Sequence, residues 1–400
     1  MTIKRKIKNI INDPARITHY LRHYKRNAVH ALLNADYKLF KDHSFYPRIL
    51  TLTLFNGCNC RCKMCDIGQS LLNQDRNNRL ISKNVLSDDP MLTIDDWKKL
   101  IDESAKYKPD ISFSGTEPLL SPYVLELAKY ILSKKLNLHI TTNAFFLEKY
   151  AKEFVKIANK NFNLGISLDG LFEKHDEIRG VPGIFNKAIN ALKIIDEEKI
   201  KLNKEDPAIY ITTAITPYNY KNMVEFYNYF NENFPKTIKN IMFSHYFFKD
   251  NAMRDAHNKS HGDIYPILSS NNDANIKNMD PRIIIQQKNI LDNMKNKNIP
   301  YSFMPELKDE AIIDYYKNSL KFVTGSKKCI AFWRDASINP NGDIIVQAMC
   351  FGGKLGNIKE KSLKKIWNSS EIKKLRDFIR KRKITPACTR CCLLFRPYNI

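Results

Sequence analysis

From residue 48 to about residue 244, short apolar runs alternate with longer stretches in which apolar residues recur at helical spacing. The strand-like runs cover 49–55, 110–113, 138–142, 163–168, 208–215 and 238–243. They are rich in Ile, Leu, Phe and Thr, and most end near Gly, Asn or Asp, as strands do. Between them the spacing predicts helices over 92–107, 122–134, 147–159, 184–197 and 220–233. In the first of these, Thr93 stands three before Asp96 in a capping-box pattern, and Trp97, Leu100 and Ile101 share one face. Strands alternating with helices require a parallel sheet with right-handed crossovers. Six such units are too few for a closed eight-stranded barrel. The expected fold is therefore α/β, a partial (β/α)6 TIM-type barrel followed by a small cysteine-rich extension.

The flanks read less regularly. Residues 13–40 suggest one or two basic helices outside the barrel, and 245–328 hold Asn-rich stretches with helices expected over 283–296 and 308–323. The division expected is a basic N-terminal extension over 1–47, the barrel core over 48–245, barrel completion and linker over 246–328, and the extension over 329–400. Residues 56–91 form a long loop after the first strand. Ligands of parallel β/α folds sit at the carboxyl ends of strands, and loops of that length are usually functional.

That loop opens with Asn-Gly-Cys-Asn-Cys-Arg-Cys-Lys-Met-Cys, four of the nine cysteines of a 400-residue chain. No apolar run approaches the ~20 residues of a membrane span. The N-terminus lacks the apolar segment of a secretory signal, so a cytoplasmic setting is expected. In that reducing compartment an odd number of cysteines implies metal binding or catalysis, not a disulfide framework. Cys58, Cys62 and Cys65 leave three and then two residues between them. Three thiolates hold three corners of a 4Fe-4S cube and leave the fourth iron open to a ligand, whereas electron-transfer clusters use four. Zinc ligation and plain burial are the alternatives.

C-x3-C-x2-C after the first strand of a six-unit barrel resembles the radical S-adenosylmethionine (radical SAM) superfamily. Other segments are similar in the same order. Phe-Ser-Gly-Thr-Glu-Pro follows the second strand and resembles a Gly-Gly-Glu-Pro motif that holds the SAM ammonium; Gly115, Glu117 and Pro118 match, with Thr116 in place of the second glycine. The resemblance further implies SAM contacts by Asn143 after the third strand, by Ser167 and Asp169 near the ribose, and by Arg179 toward the carboxylate, for which a guanidinium fork is suited. Taken singly, these residues also fit a helix-terminal charge, a turn former, a strand end and a surface ion pair.

The remaining cysteines lie beyond the barrel. Cys-Ile-Ala-Phe-Trp, Asn-Pro-Asn-Gly-Asp-Ile, Ile-Trp-Asn-Ser and Cys-Thr-Arg-Cys resemble the SPASM extension of radical SAM enzymes. A hairpin turn at Pro340-Asn341-Gly342 is expected to bring Cys329 toward Cys350, with a helix over 363–380 leading to Cys388 and Cys391. The resemblance implies an auxiliary 4Fe-4S cluster on Cys329, Cys350, Cys388 and Cys391. Zinc suits four thiolates as well. Cys60 and Cys392 have no role in the pattern.

The implied activity is reductive cleavage of SAM at the first cluster and hydrogen-atom abstraction from substrate. Peptide or protein oxidation ranks before carbohydrate or small-molecule oxidation, and an electron donor such as flavodoxin or ferredoxin is implied. The net charge of +23 changes the picture only at the ends: residues 1–48 carry net +8 (11 Lys/Arg, 3 Asp/Glu) and 353–400 net +11 (14 against 3). A solvated face accounts for such ends first; they also suit phosphates, RNA, an anionic surface or an acidic partner, so an RNA-modifying enzyme and a non-enzymatic zinc-binding or membrane-peripheral module are the competing classes. His245 and Tyr246, after the sixth strand, read as structural residues first and pocket-lining ones second.

Overall fold

A computed structural model describes residues 35–269, 274–323, 325–326 and 328–395. Most of the basic N-terminal extension lies outside these residues.

The predicted strands form with small changes at their ends: β1 Ile49–Leu52, β2 Asp110–Phe113, β3 Leu138–Thr142, β4 Phe162–Ser167, β5 Ala208–Ile215 and β6 Ile238–His245. Four further strands follow, β7 Tyr301–Met304, β8 Asp335–Ile338, β9 Asp343–Ile345 and β10 Gly356–Asn357. All belong to one sheet, in the order β10-β9-β8-β1-β2-β3-β4-β5-β6-β7. Neighbours from β8 through β1 to β7 pair in parallel, while β9 pairs antiparallel with β8 and with β10. The sheet is open, with β7 and β10 at its edges, so the barrel is partial as expected.

Three features depart from the sequence reading, the first being that the helix expected over 363–380 is two, Leu363–Ile366 and Ser370–Arg382. Six strands are extended at both sides, because β7 adds to β6 and β8 adds to β1. β7 is short and follows a polar Asn/Lys stretch, which hides it. The long loop over 56–91 is not structureless either, since it carries the helices Asp66–Asn73 and Leu80–Val85. The Asp66 carboxylate accepts from Ile81 N at 2.7 Å, and Ile67, Val85 and Leu86 bury a small apolar cluster of their own. The predicted capping box does form: Thr93 Oγ1 accepts from Asp96 N, and Asp96 Oδ2 accepts from Thr93 N.

Alternate strand residues explain where the core lies. Leu50, Leu52, Ile111, Phe113, Leu138, Ile140, Leu164, Ile166, Ile209 and Ile211 are at most 1% exposed and face the helices. Burying each such side chain contributes roughly 1.5–3 kcal/mol. The alternating positions Thr51, Ser112, Thr141, Ser167 and Thr212 are small, polar and only half-buried. This inner face leaves room for a ligand where a closed barrel would be packed solid.

The C-terminal part joins this sheet directly. Arg376, on the helix Ser370–Arg382, is fully buried between the rings of Trp333 and Trp367, 5.9 and 4.9 Å from its guanidinium carbon. It donates to the carbonyls of Phe332 and Asp42, both at 2.8 Å. One cation thereby ties the segment before β1 to the segment before β8. At the other side His245 closes β6 among Phe303, Tyr315 and Tyr316, with its Nδ1 2.9 Å from the Tyr316 hydroxyl. Burial holds its pKa down at about 3.

Arg376→Met should leave two buried carbonyls without a donor and lower unfolding free energy by about 2–4 kcal/mol, measured by denaturant titration. His245 is neutral in the fold, while the unfolded chain takes up a proton near pH 6.5. Its contribution is complete above that pH and is lost as pH falls toward about 3. His245→Phe should therefore reduce the stability difference between pH 7 and pH 5 by about 2 kcal/mol.

Candidate active site

The site is assembled at the carboxyl ends of β1 to β6. Gly115 leaves β2 with φ +105°, and a Cβ there would meet Thr53 Oγ1 at 2.5 Å. Only glycine lets the two chain segments pass this closely. Its neighbour Thr116, placed where the motif has glycine, donates its hydroxyl to Phe55 O at 2.6 Å and so holds the start of the cysteine loop. Glu117 is 2% exposed. Its Oε1 accepts from Leu119 N at 3.0 Å and Thr142 Oγ1 at 2.7 Å, and its Oε2 accepts from Asn143 N at 2.8 Å. Burial raises its pKa, and these bonds work against that rise. Oε2 retains acceptor capacity for a cationic ligand group.

The cysteine loop is pinned by backbone groups. Arg61 N donates to Arg179 O at 3.0 Å and Lys63 N to Ile178 O at 2.9 Å, while Cys65 N closes a turn on Cys62 O at 3.0 Å. The Tyr246 hydroxyl donates to Met64 O at 2.8 Å. Held this way, the thiols of Cys58, Cys60, Cys62 and Cys65 converge. Hydrogen bonding from Cys60 is the main cause that lowers the pKa of Cys58 and brings that of Cys62 to about 7, Arg179 assisting at Cys62. Those same bonds push the Cys60 thiol up. Burial, then the Cys62 charge, pushes Cys65 up to about 12.

Around this loop stand the other candidate residues. Asn143 Nδ2 donates to Asn59 Oδ1 at 2.9 Å and lies 3.8 Å from Cys58 Sγ. Ser167 is half-buried on the inner face of β4, level with Thr212. Asp169, 1% exposed, pairs through Oδ2 with Arg179 Nη2 at 2.6 Å and accepts from Ala214 N at 2.9 Å. Arg179 Nη1 also lies 3.8 Å from Cys62 Sγ. Burial opposes the Arg179 charge, but Asp169, Cys62 and Cys60 hold its pKa above the ordinary value. Arg179 thus spends part of its fork inside the protein. Two buried donors at this mouth have no partner, Arg179 Nε and Asn59 Nδ2. Donors left unmet beside a thiol cluster fit a site that takes an anionic, acceptor-rich ligand. On the outer side of β5 a cavity of about 370 Å³ reaches Asp169, with Thr213, Ile215, Asn219, Met223 and Phe226 among its lining residues.

The C-terminal cysteines gather at a second point. Cys329 precedes β8, Cys350 follows β9 across the predicted hairpin, and Cys388 and Cys391 lie beyond the helix Ser370–Arg382. Burial pushes the thiols of Cys329, Cys350 and Cys388 up, and each is raised further by the charge of others in the group. Cys391 is brought down to about 6, chiefly by a hydrogen bond from Cys392. Among the described residues no three His, Cys, Asp or Glu side chains crowd about a single-ion position. A cube spreads its thiolates over separate corners and does not need them to. The two cysteine sites are joined by short links: Asn84, behind the first, donates to Ala348 O at 2.8 Å and Cys350 O at 3.2 Å.

Asn84 and Cys60 escaped the sequence reading as site residues; Tyr246 is read there as structural first and pocket-lining second, and its hydroxyl holds the cysteine loop at Met64 O. The cysteine spacing leaves Cys60 without a role, and nothing local marks Asn84.

The Radical SAM superfamily model matches residues 52–241, from the last residue of β1 into β6, and the SPASM iron-sulfur cluster-binding domain model matches 329–392. The chain is 30% identical over 181 residues to the AdoMet-dependent heme synthase of Methanosarcina barkeri, covering 45% of this chain and 46% of that one. It is 34% identical over 130 residues to the Fe-coproporphyrin III synthase of the same organism, covering 30% and 32%. The matches thus span less than half of either relative. In fold it is similar to Streptococcus suis SuiB bound to precursor peptide SuiA, at TM-score 0.59 and 17% identity over 93% of this chain and 74% of that one.

Gly115→Ala should strain the β2 exit and lower stability by about 1–3 kcal/mol. Isothermal titration should show SAM affinity reduced at least tenfold, with the iron of the C-terminal site retained.

Proposed function

The chain belongs to the radical SAM superfamily and carries a C-terminal SPASM iron-sulfur domain, and from that premise we propose that it oxidises a peptide or protein by hydrogen-atom abstraction. Its cofactors are a SAM-binding 4Fe-4S cluster, SAM and an auxiliary iron-sulfur cluster. When bound, these supply reductive SAM cleavage and a one-electron acceptor. The observation that carries the reading is that two cysteine sites adjoin one open sheet, with Asn84, on the helix Leu80–Val85 that follows the first, donating to Ala348 O and Cys350 O at the second.

The chain's own residues then divide the work. Cys58, Cys62 and Cys65 hold the first cluster, and Cys329, Cys350, Cys388 and Cys391 the second. Glu117 Oε2, Asn143 and the Arg179 Nε donor orient SAM, with Ser167 and Asp169 toward its ribose. The half-buried polar inner face from Thr51 to Thr212 receives the substrate and keeps it near the reacting carbon, which is positioning by geometry. The basic segment 353–400, at net +11, suits docking of an acidic low-potential donor such as flavodoxin or ferredoxin. A peptide is favoured because the likeness to peptide-bound SuiB spans 93% of this chain.

A second reading has its own support. The two curated relatives, at 30% and 34% identity, are tetrapyrrole enzymes by name, which favours oxidation of a small carboxylated macrocycle.

Anaerobic protein with reconstituted clusters, given SAM and dithionite, should release 5'-deoxyadenosine, and Cys62→Ala should reduce that release at least a hundredfold. With a peptide encoded beside the gene, mass spectrometry should show loss of two hydrogens. Turnover of a coproporphyrin with loss of carbon dioxide, and none of the peptide, would select the second reading.

A further inference from the structure

Three residues beyond Tyr246, the segment leaving β6 delivers Lys249 to the C-terminal cysteine site. This lysine is 2% exposed. Its ammonium donates to the carbonyl of Ala387, the residue before Cys388. Among the described residues no carboxylate lies within ion-pair distance of it. A buried ammonium with one hydrogen bond and no counter-ion costs several kcal/mol, and folded chains avoid it by pairing.

The carbonyl it binds belongs to the residue directly before Cys388, so the groups beside it that carry negative charge once a cluster is bound are the cysteine sulfurs of this site. Four thiolates around a cube give a net negative centre, and every added electron makes it more negative. A fixed cation in a dry pocket favours the more negative state, because Coulomb attraction is strong where water is excluded. Lysine provides this as a compact point charge on a flexible stem.

We propose that Lys249 is the built-in counter-ion of the C-terminal cluster, a positioning residue that raises the cluster's reduction potential and so fits it to accept an electron. No sequence motif marks it. Its place follows from the path of one segment, which meets the first cysteine loop through Tyr246 and the second site through Lys249. The inference rests on the auxiliary cluster acting as electron acceptor. Its test needs no substrate, so failure of the substrate reading leaves it standing.

The test is a redox titration of the full-length holoenzyme followed by electron paramagnetic resonance, the first cluster being the one whose signal changes on adding SAM. In Lys249→Met the other cluster should become at least tenfold harder to reduce, about 59 mV for a one-electron couple. The SAM-responsive cluster should titrate as in wild type. Lys249→Arg, which keeps the charge, should stay within threefold of wild type. An unchanged potential in a Lys249→Met protein with full iron overturns the proposal. If Lys249→Met loses the C-terminal iron, retention of that iron in Lys249→Arg supports the counter-ion role. Loss of iron in both variants overturns it, since shape rather than charge would then be what the site requires.

Discussion

Thiols gathered on one short loop repel one another as they ionise, so the backbone that carries them must be held by something other than sulfur. Here it is held by peptide groups. The loop between Cys58 and Cys65 pairs with Ile178 and Arg179 through two backbone bonds and is tied by the Tyr246 hydroxyl on another side. Gly68 and Gly180 make this possible, because a Cβ on either would come within 3.0 Å of the loop's own backbone. Arg179 places its guanidinium beside Cys62, so the end of the helix Phe172–Arg179, which pairs with the loop, also supplies the charge that steadies it.

The same economy links the two halves of the molecule. The exit of β6 carries Tyr246 to the first site and Lys249 to the second. The Tyr315 hydroxyl donates to Tyr246 O at 2.9 Å, and the Tyr315 ring stacks under the Arg390 guanidinium at 4.6 Å. Arg390 lies between Cys388 and Cys391. A continuous path of bonded and packed groups therefore runs from one cysteine loop to the other. Because β8 is hydrogen-bonded to β1, the C-terminal site is not free to swing relative to the barrel mouth. The separation of the two centres is thus built into the sheet.

Much of this was legible in the chain itself. The six barrel strands follow from alternating apolar runs, and the capping box at Thr93 and the hairpin at Asn341 and Gly342 from local side-chain chemistry. What was hidden is non-local. β7 has four residues and no amphipathic context, and the hairpin strand β8 gives no sign in the sequence that it joins β1, a partner 286 positions earlier in the pairing of Ile49 with Asp335. The helices inside the cysteine loop were missed because Asp66 organises them by accepting from Ile81 N, a contact without a sequence signature. Lys249 is likewise one lysine among many until the fold buries it.

The central claim is that one chain holds two iron-sulfur centres of which a single one is open to SAM. The most direct measurement is electron paramagnetic resonance of the dithionite-reduced, anaerobically reconstituted protein before and after adding SAM. Two cluster signals are predicted, one displaced by SAM and the other unmoved. A single signal, or two signals that both ignore SAM, would contradict the account.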